Sequence, residues 1–269
     1  MSPAIFYENV TVITGASSGI GHELAYQMAE QGAWLVLAAR NEGALEETAQ
    51  ICRQRGGRAI TVPTDVTDQD QCQRLIQQAV EEYGRIDTLV NNAGITMWAL
   101  FEEIHDLDLF HKIMRVNYFG TVYCTHYALP YLKETRGRIV AVASLAALNG
   151  IPTRSAYAAS KHAIKGFMDT LRIELAGSGI SVTISYPDFV ATGMRERALK
   201  ADGTPLGESP LEEGKVMTTQ DSVRSLLTAM EQRAREDKQT LRGKAGPWIK
   251  LIAPGLIDNM ARNALLLDD

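Results

Sequence analysis

Cysteine is scarce in this 269-residue chain: Cys52, Cys72 and Cys124 are odd in number and form no CxxC pair. The simplest expectation is a reduced compartment with no structural metal. The histidines, His22, His105, His111, His126 and His162, likewise show no metal-ligand spacing. No run approaches the ~18 uninterrupted apolar residues of a spanning helix. The opening MSPAIFYENVTVITG lacks the charged start and apolar stretch of a signal peptide. No basic block occurs, and a formal charge of -5 gives no reason to expect a nucleic-acid surface. These gaps lead to the expectation of a cytoplasmic enzyme or binding protein.

Apolar residues make up 45% of the chain and charged residues 22%, so a sizeable core can form. Short β-branched runs alternate with longer helical ones. The strand-like runs are Val10–Thr14, Trp34–Ala39, 59–63, 88–90, 137–143 and Ser181–Tyr186. Helical periodicity fills stretches between them, such as 19–32, 43–55 and Gln69–Tyr83. Nearly continuous apolar strands are expected when helices cover both faces of a parallel sheet. The prediction is an α/β fold, a single-domain doubly wound parallel sheet over 1–269 with right-handed crossovers. Two regions break the alternation. Residues 191–218 carry Gly203, Pro205, Gly207, Pro210 and Gly214 among polar residues and read as a mobile insertion. The tail, 245–269, is amphipathic and interrupted at Pro254-Gly255. A packing or subunit-contact helix is favoured there over a membrane-surface anchor.

VTVITGASSGIGHELA reads as strand, turn, helix, with Gly15, Gly19 and Gly21 spaced G-x-x-x-G-x-G. Such a turn lacks Cβ atoms and aims a helix N-terminus at a pyrophosphate, although a purely structural βα turn has the same look. The second strand ends in LVLAARNE. An NAD-selective fold usually has an acid here, whereas this chain has Ala39 and Arg40. A guanidinium can bind a 2′-phosphate through paired charge-assisted hydrogen bonds. NADP(H) is therefore preferred over NAD(H), with Ser17 and Asn41 as supporting contacts. The competing reading is a solvated arginine at a helix start.

TDVTD at 64–68, NNAG at 91–94, VASLAA with Ser144, and YAASK at 157–161 follow in order. Together with TGASSGIG, they make the chain resemble the short-chain dehydrogenases/reductases up to about residue 245. The resemblance implies a catalytic set of Asn117, Ser144, Tyr157 and Lys161. It implies cofactor contacts from Gly15, Ser17, Ser18, Gly19, Ile20 and Gly21, and from Tyr157 and Lys161. Asp65 and Val66 would hold the adenine edge, while Asn92, Ala93 and Gly94 would line the cofactor. Val190 and Thr192 match the segment that holds the nicotinamide carboxamide. One departure stands out: the family commonly has Pro-Gly where this chain has Pro187-Asp188.

Tyr157 and Lys161 stand four apart, so a helix projects them together. A free phenol has a pKa of about 10 and is a poor base at neutral pH. The neighbouring ammonium is expected to pull it down, aided by the positive nicotinamide ring in the oxidised complex. Ser144 would donate to a substrate oxygen that gains negative charge. By the same resemblance Lys161 would hold the nicotinamide ribose, and Asn117 would support a water beside it.

Met97, Trp98, Leu100 and Phe101, with Phe189 and Met194, could line an apolar pocket or simply pack the core. Taken jointly they favour a hydrophobic carbonyl or secondary alcohol over a sugar; steroid-like, long-chain 3-keto and aromatic ketones all stay open. Residues 191–218 are expected to close over the substrate. Pairing through helices at 110–135 and 155–177 would give a homodimer or homotetramer, with aromatic contact from Tyr118, Tyr123, Tyr127 and Phe167. The competing function is a catalytically silent dinucleotide-binding regulator; an epimerase or dehydratase is disfavoured because 191–269 leaves little room for a substrate domain.

Overall fold

The computed structural model describes residues 4–208 and 216–263. Seven parallel strands form one sheet in the order β3-β2-β1-β4-β5-β6-β7. They are β1 (Val10–Thr14), β2 (Trp34–Ala39), β3 (Arg58–Pro63), β4 (Thr88–Asn91), β5 (Arg138–Val142), β6 (Ser181–Tyr186) and β7 (Glu236–Lys238). The helices that matter for its faces are α1 (Gly19–Ala29), α2 (Glu42–Gln54), α3 (Gln69–Tyr83), α4 (Asp108–Met114), α5 (Gly120–Thr135), α6 (Ser155–Glu174) and α7 (Thr219–Glu231). Two further helices, α8 (Leu241–Ile252) and α9 (Pro254–Asn263), follow the last strand.

Strand alternation divides the core into two layers. Val12 and Val36 point to the side packed by Leu75, Leu132 and Met168 of α3, α5 and α6. Ile13, Leu35 and Leu37 point to the side packed by Leu24, Leu45 and Leu226 of α1, α2 and α7. Truncation of a fully buried leucine such as Leu89 to alanine should cost ~2–5 kcal/mol. Local signals fix the helix ends. Asn41 caps α2 by accepting from the Ala44 amide at 3.1 Å, and Asp68 caps α3 by accepting from Asp70 and Gln71. Gly84, at φ 75°, stops α3 in the left-handed conformation.

The seventh strand, Glu-Asp-Lys, has no apolar signature and was absent from the expected set. Asp237 is nevertheless buried, because Ser185, Ser225 and Gln239 all donate to its carboxylate at 2.6–2.8 Å. Polar satisfaction has replaced apolar burial at this edge.

The expected insertion is anchored where it is described. Leu199 is buried, donates to the Thr96 carbonyl at 3.0 Å and accepts from the Trp98 amide at 2.8 Å. Pro210 and Gly214 lie outside the described residues. The break at Pro254-Gly255 separates α8 from α9, with proline in the first helical turn where its missing amide hydrogen costs least. Among the described residues, no helix is long and apolar enough to cross a membrane.

The sheet order places β1 beside β4, and chain direction across the sheet reverses there. A crevice therefore opens beyond the carboxyl ends of these strands, the usual ligand position in an open parallel sheet.

Candidate active site

At that crevice the glycine turn meets β4. Gly15 and Gly19 both have positive φ, 66° and 59°. A Cβ on Gly21 would stand 2.4 Å from Asn92 Nδ2 and 2.5 Å from the Gly15 carbonyl oxygen. Asn92 occupies that space because its amide donates to the Thr14 and Gly15 carbonyls at 2.9 and 3.1 Å. Gly21 thus lies beneath the turn, outside the cavity wall, and Asn92 uses its amide to brace the turn.

A single cavity of about 1320 Å³ runs from this turn past the end of β2 to the far side of β5. Of the expected cofactor contacts, Gly15, Ser17, Ser18, Gly19 and Ile20 line its first part, with Arg40, Asn41, Asp65 and Val66. Asn92, Ala93 and Gly94 continue the wall, followed by Val190 and Thr192. Arg40 is exposed and makes no hydrogen bond or ion pair among the described residues. The Asn41 carbonyl is committed to the α2 cap, and Asp65 accepts two hydrogen bonds from Thr67. Arg197, which sequence reasoning passed over, donates from the loop after β6 to Ser18 Oγ at 3.2 Å.

Ser144, Tyr157 and Lys161 line the same cavity. Ser144 follows the end of β5 and accepts from the Ala146 amide at 3.2 Å. Tyr157 and Lys161 project from the first turns of α6 and are almost fully buried, with Lys161 Nζ 5.6 Å from the phenol ring centre. That ammonium donates to the Val142 carbonyl at 2.8 Å. Asn117 sits in a π-helical turn, Arg115–Phe119, between α4 and α5. Such a turn re-aims a helical side chain and recurs at functional sites. Here it directs Asn117 inward, where it is fully buried: it accepts from the Ile95 amide at 2.8 Å and donates to the Ile95 carbonyl and Ser160 Oγ. Its side chain is a brace between the segment after β4 and α6; it is not part of the cavity wall.

The electrostatics correct one expectation. Without a cofactor, burial raises the Tyr157 pKa above its ordinary value, against the opposing pull of the Arg154 charge and a hydrogen bond from Ser144. Burial also pushes Lys161 down to about 8. Desolvation therefore dominates both groups, and the Arg154 charge is the largest influence opposing it at the phenol.

Two substrate-side expectations also change. Met97 is completely buried and packs with Ile113 and Leu199, so it is a core residue. Its neighbour Trp98 points the other way in this extended segment and lines the cavity with Phe189 and Met194. Leu100 and Phe101 are exposed and lie outside the wall. Asp188, the departure from Pro-Gly, accepts from Thr240 Oγ1 at 3.1 Å and from the Phe189 amide at 3.0 Å. Because Thr240 caps α8, Asp188 ties the loop after β6 to the tail. That tail supplies further wall residues, including Ile249 and Met260, which composition alone could not place.

A doubly wound sheet with a glycine turn at its switch point, and a buried Tyr-Lys pair in the same cavity, is the architecture of a dinucleotide-type dehydrogenase. The chain belongs to the short-chain dehydrogenase/reductase family: the short chain dehydrogenase profile matches residues 9–203. It is 44% identical over 191 residues to 11-beta-hydroxysteroid dehydrogenase 1A of Arabidopsis thaliana, covering 71% of this chain and 54% of that protein. It is 36% identical to 11-beta-hydroxysteroid dehydrogenase A of Sesamum indicum, covering 93% and 73%. The chain thus spans little more than half the length of the Arabidopsis relative. Among solved structures, a short chain dehydrogenase/reductase from Burkholderia phymatum in complex with NAD aligns with a TM-score of 0.83 at 27% identity, covering 93% of this chain and 95% of that one.

Proposed function

We propose that this protein is an NADP(H)-dependent oxidoreductase that interconverts a hydrophobic ketone and a secondary alcohol. The observation that carries the reading is the continuity of one cavity from the glycine turn and Arg40 to Ser144, Tyr157 and Lys161. A dinucleotide fits the first part. A Cβ on Gly15 would stand 2.9 Å from Ala93 Cα, so only glycine lets the turn close on the segment after β4. The N-terminus of α1 faces the cavity and suits a pyrophosphate. Arg40 stands where an acid would repel a 2′-phosphate, and without a partner among the described residues its donors are available. The solved relative with NAD supports a nicotinamide dinucleotide without deciding the phosphate.

When bound, the dinucleotide supplies or accepts the hydride. The chain's residues handle the oxygen and the proton. In reduction, the Tyr157 hydroxyl donates its proton to the carbonyl oxygen as that oxygen gains charge. The Ser144 hydroxyl donates a hydrogen bond to the same oxygen, which favours the transition state over the ground state. Lys161, pinned to the Val142 carbonyl, keeps positive charge beside the phenol and favours its deprotonated form after transfer. In alcohol oxidation the same groups run in reverse, with Tyr157 as base.

Trp98, Phe189, Met194 and Ile249 make the substrate end largely apolar. The hydroxysteroid names of the two plant relatives support a bulky ketone as one candidate class. The silent-regulator reading is less favoured, because all the side chains needed for proton transfer share the cavity. The test is loss of reduced-nicotinamide absorbance with a panel of steroid, aliphatic and aryl ketones, run in parallel with NADPH and NADH. Turnover with NADPH at a lower KM is expected. Binding of NADPH with no turnover of any ketone would favour the regulator instead.

A further inference from the structure

Arg154 is buried at 6% exposure, yet it has no carboxylate partner among the described residues. Its Nη1 donates to Thr96 Oγ1 at 3.2 Å, while Nε and Nη2 have no hydrogen-bond partner among the described residues. The guanidinium lines the cavity at its substrate end, 4.9 Å from the Trp98 ring, 5.8 Å from Tyr157 and 6.0 Å from Phe189. Stacking on aromatic faces recovers only part of the cost of burying a charge. The cavity wall holds only two carboxylates among the described residues, and both are engaged elsewhere: Asp65 by Thr67 and Asp188 by Thr240. Arg195, a same-sign neighbour, adds to the pressure and with burial holds the Arg154 pKa below its ordinary value. A buried fork with two idle donors, set in the wall of an apolar cavity beside the reacting phenol, is a site for a hydrogen-bond acceptor.

We propose that Arg154 binds a carboxylate of the substrate, so that the enzyme acts on hydrophobic keto acids whose acid group lies a few bonds from the reacting carbonyl. The apolar remainder runs along Trp98, Phe189 and Met194. The fork donates to both carboxylate oxygens, and the charge that has no carboxylate partner among the described residues becomes paired on binding. This deepens the ketone-reductase reading and rests on it for turnover, though not for binding.

The test uses benzoylformate, 3-benzoylpropionate and 4-benzoylbutyrate, each with its methyl ester, under NADPH. At least one acid should exceed its ester in kcat/KM by about 10-fold or more. Arg154→Gln should lower that acid-to-ester ratio by about 10- to 150-fold, the range for a lost hydrogen bond to a charged group. Arg154→Lys, which keeps the charge and loses the fork, should retain part of the preference. A second arm needs no turnover: 4-phenylbutyrate is titrated calorimetrically onto wild type and Arg154→Gln with NADP⁺ present. Wild type should bind it and the variant should not. The binding arm separates failure of the carboxylate site from failure of the reductase reading. The proposal is overturned if acids and esters are used equally by wild type. It is also overturned if the ratio survives Arg154→Gln, as it would were Arg154 acting only on the Tyr157 proton and shifting both pH profiles alike. Equal binding of 4-phenylbutyrate by the two proteins overturns it too.

Discussion

Lys161 offers a sharp physical test because its burial is a cost to the folded state. Its pKa falls from 10.5 to about 8 through desolvation, which corresponds to about 3 kcal/mol of disfavoured protonation. Below pH 8 the folded and unfolded chains both carry the proton, so folding bears the full cost. Between pH 8 and 10.5 the folded chain releases the proton first, and the unfolded chain binds more protons. Stability then rises with pH, and above 10.5 the cost is gone. Lys161→Met removes this dependence, together with the hydrogen bond to the Val142 carbonyl. Urea unfolding of both proteins without cofactor, from pH 7 to 10.5, isolates the difference. Other titrating groups cancel, and Tyr157, raised by its own burial, keeps its proton through most of the range. Wild type should gain about 2–3 kcal/mol on the variant, mostly above pH 8. The variant should equal or exceed wild-type stability at pH 7 while losing turnover. A flat difference across the range would show that Lys161 is solvated; a falling one would mean that its ammonium is held by a charge partner.

Other perturbations probe separate parts of the site. Arg40→Asp should raise the KM for NADPH about 10- to 100-fold and change that for NADH far less, measured by initial rates; equal effects would refute a phosphate contact. Gly21→Ala forces a Cβ to 2.4 Å from Asn92 Nδ2, so it should cost about 1–3 kcal/mol in urea unfolding and weaken NADPH binding by fluorescence titration. Asp237→Ala strands the hydroxyls of Ser185 and Ser225, while the Gln239 amide keeps the Ser222 carbonyl, for a loss of about 2–4 kcal/mol by the same unfolding assay.

Much of the fold could be read from residues because the burial pattern was simple. Val10–Thr14, Trp34–Ala39 and Ser181–Tyr186 are apolar runs covered on both faces, and they form strands over those same residues. Glu236–Lys238 escaped because three polar partners, distant in sequence, make an aspartate acceptable in the interior. Tyr157 and Lys161 were legible through helical spacing. Arg154 is not marked by spacing, because it is the N-cap residue just before α6 and its backbone is not helical. An arginine at a helix start usually reaches water; only the tertiary arrangement of Trp98 and Phe189 reveals that this one does not. Met97 and Trp98 show the converse limit. Composition leaves cavity lining and core packing open for both, whereas extended backbone sends neighbours to opposite sides, one into the core and one into the cavity.

The role of the buried phenol is tested most directly by single-turnover reduction of a ketone found in the panel, with wild type and Tyr157→Phe each saturated with NADPH. The variant should bind NADPH with nearly wild-type affinity and react about 10²- to 10⁴-fold more slowly, the range for a lost general acid. An undiminished rate in Tyr157→Phe would contradict proton delivery from this residue.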